Sequence, residues 1–189
     1  MGVKIRRVST RKELDEVFRL RYRVYCASPV ENRPSDFRPE DYPDGKETDK
    51  WDDCAVHFAA FKKGRAVGCL RLILGDCRFG FLMESDFKLP PDLDRKKGAE
   101  ASRMIIDPAM RSHGLFLKYV KVATRWSLEN GYIWWCIAIS TFLLPSARRD
   151  GWLIREIGKP VLYHNVLVQP IIVYLRGKEY RAYYSRKED

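Results

Sequence analysis

The chain has no apolar run long enough to cross a bilayer. Its longest apolar run, Tyr132 to Ile139, has eight residues, whereas a membrane-spanning helix needs about 20. No apolar stretch followed by a cleavage site stands close to Met1, so we predict no signal peptide. These absences predict a protein with no membrane span.

Sequence motifs for metal binding and for redox chemistry are also missing. The five cysteines have no C-x-x-C spacing, which argues against a zinc cage or a redox pair: Cys26, Cys54, Cys69, Cys77 and Cys136. We therefore expect free thiols and a cytoplasmic location. The three histidines stand far apart, and no metal site is predicted: His57, His113 and His164. We interpret Cys69 as a core residue rather than a nucleophile.

Positive charge is in excess, with 35 Lys and Arg against 25 Asp and Glu and a net charge of +10. A basic surface attracts acidic partners and speeds their encounter. Nucleic acid is the default acidic partner, but the basic residues form no long run, and no recognition helix or aromatic RNA-binding motif occurs. Nucleic acid is therefore disfavoured, and a basic nucleic-acid-binding module is kept as an alternative.

The apolar pattern predicts strands and helices over residues 1–189, a length that suits one domain. Thr10 to Glu13 is a capping box that begins a helix ending near Cys26. Residues 27–50 contain four prolines and no period, which predicts a long, mobile loop that covers a substrate pocket. The other predicted elements are strands at 4–8, 55–61, 65–74, 78–82, 101–107, 132–140, 161–163 and 169–175, helices at 116–130 and 141–149, and a polar tail at 181–189. This order is typical of an α+β or α/β three-layer sandwich.

Five charged blocks follow one another over roughly residues 12–110. They are Leu20-Arg21-Tyr22-Arg23-Val24-Tyr25, Glu47-Thr48-Asp49-Lys50-Trp51-Asp52, Val67-Gly68-Cys69-Leu70-Arg71-Leu72, Leu82-Met83-Glu84-Ser85-Asp86-Phe87 and Glu100-Ala101-Ser102-Arg103. In this order the blocks resemble the autoinducer synthases, the LuxI-type acyl-homoserine lactone synthases. They resemble more closely the related N-acyl amino acid synthases, of which the FeeM-like long-chain N-acyltyrosine synthases are the best known.

The resemblance implies a GNAT-like fold with a central mixed β-sheet, and an acyl transfer reaction. In that reaction an amine attacks the thioester of an acyl chain carried on the phosphopantetheine arm of acyl carrier protein, a small acidic protein. The resemblance implies no metal and no permanently bound cofactor. The acceptor it implies is a free amino acid such as tyrosine, and the acyl chain it implies is long.

Glu100 is the expected general base, because an amine is protonated at neutral pH and must lose a proton before it attacks. The alternative is an ordinary surface glutamate paired with Arg103. The family's other charged positions are Arg21, Asp49, Asp52, Arg71 and Arg103. With Glu100 they make three cations and three anions, which predicts a partly buried cluster. Either one arginine binds the substrate carboxylate through a bidentate fork, or the cluster is a structural network.

Further residues are predicted to contact the substrates. The resemblance matches Tyr25 and Phe87 to aromatic pocket positions, and Ser102 lies within the Glu100 block. Trp134, Trp135 and Ile137 are candidates to border the acyl tunnel, although core packing is the safer interpretation for these three and at least as good an explanation for Tyr25 and Phe87. Between Asp107 and Gly114 there is a single glycine, which makes a poor cradle for coenzyme A. Arg111 in that segment is expected to hold the one phosphate of a pantetheine arm.

The sequence departs from the lactone synthases in two places. Those enzymes carry a tryptophan six residues after the position of Tyr25, where this chain has Glu31, and the loop before Asp49 is longer here. Both departures argue against S-adenosylmethionine as the acceptor and favour a free amino acid. A lactone synthase that uses S-adenosylmethionine stays open as an alternative, as does an inactive member that only docks carrier protein.

Overall fold

The structure is a computed structural model that describes residues 3–27, 37–111, 114–163 and 166–175. Within these residues, eight strands form a single sheet, and three α-helices accompany them. The strands are β1 (Ile5–Arg7), β2 (Ala55–Lys62), β3 (Arg65–Leu74), β4 (Gly98–Ile106), β5 (Trp134–Ser140), β6 (Leu153–Glu156), β7 (Val161–Tyr163) and β8 (Val166–Tyr174). The helices are α1 (Arg11–Tyr25), α2 (Leu115–Glu129) and α3 (Leu144–Arg149).

The strand order is β1-β2-β3-β4-β5-β8-β6, and β7 pairs with β8. Every pairing is antiparallel except that of β4 with β5. The sheet is therefore mixed, and its single parallel pair lies at its centre. Because a parallel pair needs a crossover connection, α2 runs between β4 and β5. The predicted mixed central sheet is confirmed.

Helices cover both faces of the sheet and make three layers. Thr10 caps the start of α1, since its hydroxyl oxygen accepts a hydrogen bond from the Glu13 N–H. The α1 side chains pack on one face, in a cluster that includes Val17, Phe18, Leu20, Ala59, Cys69 and Ile105. The α2 side chains pack on the other face, in a cluster that includes Leu115, Tyr119, Val120, Phe58, Leu70 and Leu72. Successive side chains along β2 and β3 thus point to opposite faces of the sheet and pack against different helices.

The parallel pair β4–β5 separates partway along its length. Only Gly98 to Glu100 pair with Trp134 to Cys136. On its other side β4 pairs with β3, and that register shifts between Cys69 and Arg71. At this irregularity Arg103 has a left-handed φ of 52°, which is uncommon for a residue other than glycine and is found preferentially at functional sites. The bulge turns the second half of β4 away from β5.

Two cysteines differ from the sequence prediction. Cys54 and Cys77 form a disulfide with a Cα–Cα distance of 5.3 Å, so the expectation of free thiols is wrong for this pair. Cys54 ends a short helical turn before β2, and Cys77 lies in the turn after β3. Antiparallel pairing brings those two ends together although 23 residues separate them. Cys26, Cys69 and Cys136 are buried and are not disulfide-bonded.

Several residues and segments singled out in the sequence lie wholly or partly outside the described residues. Glu31, His113, His164 and the tail at 181–189 are among them, as is the middle of the predicted loop at 27–50. Within the described part of that loop, Pro39–Asp41 forms a 3-10 turn, and Phe37 is buried against Tyr25 with a ring distance of 4.8 Å. None of the described helices has the length and apolar content needed to cross a membrane.

Candidate functional site

Two cavities meet where β4 and β5 separate. The smaller one, about 340 Å³, lies on the α1 face. The larger one, about 860 Å³, lies on the α2 face and has mostly apolar walls. The residues that line both cavities are Tyr25, Ala101, Met104, Ile137 and Ala138. The two volumes are typical of ligand sites, and the strand separation connects the two faces of the sheet.

Glu100 lies in the wall of the smaller cavity. Its side chain is only 4% exposed, and its carboxylate accepts a hydrogen bond of 3.1 Å from the Met83 N–H. Burial raises the pKa of Glu100 to about 7, against the opposing effects of that N–H and of the Arg71 charge. The alternative prediction, a surface glutamate paired with Arg103, is therefore wrong. A carboxyl group that titrates near neutrality can accept and return a proton.

A short turn holds the Glu100 carboxylate. Leu82–Ser85 forms a 3-10 turn, and its first N–H groups point at Glu100. Glu84 closes this turn by accepting a hydrogen bond of 2.8 Å from the Phe81 N–H. Arg95 clamps Glu84 with two N–H donors. The predicted strand at 78–82 is therefore wrong, because its apolar residues are the buried side chains of a turn.

The charged cluster is a closed network beside this cavity. Arg21 pairs with Glu47 and lies 2.7 Å from Asp52. Arg71 lies 2.6 Å from Asp49 and 2.9 Å from Asp52. Three arginines and three carboxylates alternate, and the remaining contacts are Arg103 to Glu47 and Asp49, both at 3.0 Å, and Arg71 to the Ser102 hydroxyl, also at 3.0 Å. Because opposite charges surround each member, the network can lie in the interior.

The third carboxylate of the network is Glu47, which was not among the predicted members of the charged cluster. Glu47 is fully buried. Burial alone would raise the pKa of Glu47, but the hydrogen bond from Arg21 and the charges of Arg103 and Arg21 hold that pKa below its usual value. Glu47 stands in the same sequence block as Asp49 and Asp52, and this position in the block could have identified it as a member of the cluster. Glu100, by contrast, forms no ion pair with a described residue.

Arg103 is the network arginine that reaches the smaller cavity. Its side chain is 13% exposed, whereas those of Arg21 and Arg71 are at 0%. Arg103 lines the smaller cavity, and its guanidinium lies 5.6 Å from the Tyr25 ring and 5.2 Å from the Phe37 ring. Cation–π contacts of this kind fix a guanidinium in place. Tyr25, Phe87 and Ser102 line the same cavity, and their contact with a substrate stays a prediction.

Arg111 and Trp134 lie in different surroundings. Arg111, which is predicted to hold the phosphate of a pantetheine arm, lines the larger cavity. Trp134 is buried in the core and lines neither of the two cavities. Its ring fills the space over Gly98, where β4 and β5 are still paired, and its indole N–H donates to the Asp94 carbonyl. Core packing is therefore the correct interpretation for Trp134, and Trp135 lines the larger cavity instead.

Metal binding finds no support in the described part of the chain, where no group of three or more His, Cys, Asp or Glu side chains is arranged to hold an ion. His57 is buried 3.6 Å from Asp52. Burial lowers the pKa of His57 to about 4, against the opposing charge of Asp52. The imidazole is therefore neutral at physiological pH and adds no charge to the network.

Comparisons with known proteins agree with this geometry. The family model of N-acyl amino acid synthase FeeM matches residues 16–174. Among solved structures, the CoA-dependent acyl-homoserine lactone synthase BjaI, with SAM and isopentyl-CoA, superposes with a TM-score of 0.78 at 24% identity, over 98% of this chain and 89% of that one. The acyl-homoserine lactone synthase LasI superposes with a TM-score of 0.76 at 20% identity, over 97% of this chain and 94% of that one.

A more distant structure has the same fold. An acyl-CoA N-acyltransferase from Pseudomonas aeruginosa superposes with a TM-score of 0.63 at 16% identity, over 90% of this chain and 99% of that one. The predicted GNAT-like fold is confirmed by these superpositions. At such low identity the structures establish the fold alone, and no curated protein sequence matches the chain.

Proposed function

Because the chain belongs to the N-acyl amino acid synthase FeeM family, we propose that it transfers an acyl group from acyl carrier protein to the amino group of a free amino acid. Family membership makes it an N-acyltransferase, as the resemblance implied. The observation that carries the proposal is the buried Glu100 carboxyl, held in a cavity wall at the point where two strands separate. The identity of donor and acceptor belongs to the proposal.

The acyl donor fits the larger cavity. Its mostly apolar walls suit a hydrocarbon chain, and Arg111 in those walls supplies a positive charge for the phosphate of a pantetheine arm. Residues 107–114 contain only one glycine, which leaves few positions where the backbone could approach the pyrophosphate of coenzyme A closely. The scarcity of glycine favours the single phosphate of a carrier-protein arm over the pyrophosphate of coenzyme A. The net charge of +10 favours an acidic partner.

The acceptor fits the smaller cavity. Tyr25, Phe37 and Phe87 give it aromatic walls, which suit an aromatic side chain such as that of tyrosine. Arg103 presents its partly exposed guanidinium there. Its Nε and Nη2 donate to Glu47 and Asp49, and its Nη1 would donate to the carboxylate of the amino acid. The amino group would then lie close to Glu100, with the thioester carbonyl between the two cavities.

The reaction needs one proton acceptor and one oxyanion site. Glu100 takes a proton from the ammonium group, the nitrogen attacks the thioester carbon, and a C–N bond forms. Beyond Glu100, β4 no longer pairs with β5 although it still pairs with β3, so the backbone N–H groups between Ala101 and Met104 that face away from β3 would serve the tetrahedral oxyanion. The C–S bond then breaks, the leaving thiolate takes the second proton that the attacking nitrogen gives up, and Glu100 releases the first proton to solvent. No covalent acyl-enzyme and no metal takes part.

A comparison of donors and acceptors tests this proposal on the purified protein. We expect thiol release from an acyl carrier protein thioester to have a kcat/KM at least about tenfold above that from the matching coenzyme A thioester, because a basic surface steers an acidic partner. Tyrosine should support release, whereas S-adenosylmethionine should not. Equal kcat/KM values would contradict the donor assignment, and release only with S-adenosylmethionine would establish a lactone synthase instead.

The pH dependence of the rate tests the role of Glu100. Because only the carboxylate accepts a proton, and burial raises the pKa of Glu100 to about 7, log kcat should rise with pH and level off above an apparent pKa of about 7. The matched control is His57→Gln, since burial lowers the pKa of His57 to about 4 and the profile should not move. A profile that is flat from weakly acidic to weakly basic pH would contradict the assignment.

A further inference from the structure

The exposed large apolar side chains of the described residues all lie at one end of the sheet. The two most exposed are Phe142, at 87%, and Leu162, at 71%. Single exposed apolar residues are ordinary, but a contiguous group marks an interaction surface. The group, which we call the apolar rim, consists of Phe116, Phe142, Leu143, Val161, Leu162, Val166 and Leu167.

Backbone pairing makes the apolar rim continuous. Leu162 on β7 lies opposite Leu167 on β8. The Leu167 carbonyl in turn accepts hydrogen bonds from the Thr141 N–H at 2.9 Å and the Thr141 hydroxyl at 3.3 Å, which places Phe142 beside the hairpin. Phe116 lines the larger cavity together with Phe142 and Leu143. Three of the seven rim residues therefore border the cavity assigned to the acyl donor, and Val166 borders the smaller cavity.

The elements that carry the rim are strongly basic. Between residues 108 and 175 there are only three acidic residues, against eight basic ones: Glu129, Asp150 and Glu156 against Arg111, Lys118, Lys121, Arg125, Arg148, Arg149, Arg155 and Lys159. Lys118 and Arg149 are exposed on α2 and α3, the helices that begin at this end of the sheet. Lys118 stands two residues after Phe116 on α2, and Arg149 lies on α3, which directly follows Phe142 and Leu143, so both helices add positive charge close to rim residues.

From this combination we infer that the apolar rim binds the surface of an anionic lipid bilayer. Apolar side chains that enter the interface and basic side chains that attract anionic lipids add their contributions to such binding. The inference rests in part on the proposed function, because a long-chain N-acyl amino acid is an amphiphile that could pass from the cavity into the bilayer.

Vesicle co-sedimentation tests the inference without any substrate. The full chain should sediment with vesicles of phosphatidylcholine that contain about a third phosphatidylglycerol, and less with phosphatidylcholine alone. Leu162→Ser with Leu167→Ser should weaken this partitioning at least about tenfold, because two apolar contacts with the interface are lost. Leu162→Val with Leu167→Val is the matched control and should keep most of the binding. Both positions lie outside the two cavities.

A charge reversal supplies the second arm. Lys118→Glu should weaken binding to the anionic vesicles about fivefold or more, since each basic residue near the surface contributes about 1 kcal/mol. Lys96→Glu, the same change at the opposite end of the sheet, should have little effect. Absence of vesicle binding, or equal binding by the serine variant, would overturn the inference. If the serine variant instead raises the KM for the carrier-protein thioester without any vesicle binding, the rim is a protein-docking surface. Failure of the proposed reaction would leave the sedimentation result unchanged.

Discussion

Replacing Glu100 with glutamine should lower kcat by about 100-fold or more, with little change in the free energy of unfolding. A positioned general base contributes about 10²–10⁴ to the rate, and an amide cannot take a proton from the substrate ammonium. Glutamine keeps the shape of the side chain and an oxygen that can accept the hydrogen bond from the Met83 N–H. The kcat should be measured with saturating donor and acceptor, and unfolding should be followed in denaturant.

Glu84→Gln is the matched control for this substitution. Glu84 lies in the turn that holds Glu100 and pairs with Arg95, but it does not line either cavity. We expect a much smaller loss of kcat from Glu84→Gln than from Glu100→Gln. If the Glu100 variant keeps most of the wild-type kcat, proton transfer belongs to another group or to solvent, and Glu100 is only a packing residue.

Replacing Arg71 with alanine should lower the free energy of unfolding by about 3–5 kcal/mol, the range found when one partner of a buried ion pair is removed. Arg71 is fully buried and donates to Asp49, to Asp52 and to the Ser102 hydroxyl. Without its guanidinium, two carboxylates lose a cation in the interior. The midpoint and slope of denaturant unfolding give this free energy directly.

Arg78→Ala provides the comparison for the Arg71 substitution. Arg78 pairs with Asp53 at 3.5 Å, and both side chains are exposed, at 72% and 71%. Ion pairs of this kind contribute about 0–1 kcal/mol. A similar, small loss from both alanine variants would show that the buried network does not stabilise the fold. A large loss from Arg71→Ala alone would establish the structural role, which is compatible with substrate binding by Arg103.

The site was predictable from the sequence where short motifs specify it. The blocks around Arg21, Asp49, Arg71 and Glu100 indicated a charged cluster, and the cluster exists. The sequence could not show that Glu47 and not Glu100 completes it. That outcome depends on how the segment before β2 folds back on α1, where the Glu47 N–H donates to the Phe18 carbonyl. Spacing along the chain carries no information about such a contact.

The remaining differences have equally local causes. Trp134 and Trp135 are adjacent, and only the direction of alternation along β5 decides which ring lines a cavity and which fills the core. Cys54 and Cys77 meet because β2 and β3 form an antiparallel pair whose ends lie together. The residues around Phe81 were predicted to form a strand because a strand and a buried turn can have the same apolar pattern.

Mass spectrometry of organic extracts tests the central claim most directly. Cells that overproduce the protein should be compared with cells that carry an empty vector and with cells that produce the Glu100→Gln variant. We predict N-acyl amino acids with long acyl chains in the first extract alone, and their masses would identify both substrates. Acyl-homoserine lactones in place of N-acyl amino acids would contradict the assignment of a free amino acid as the acceptor.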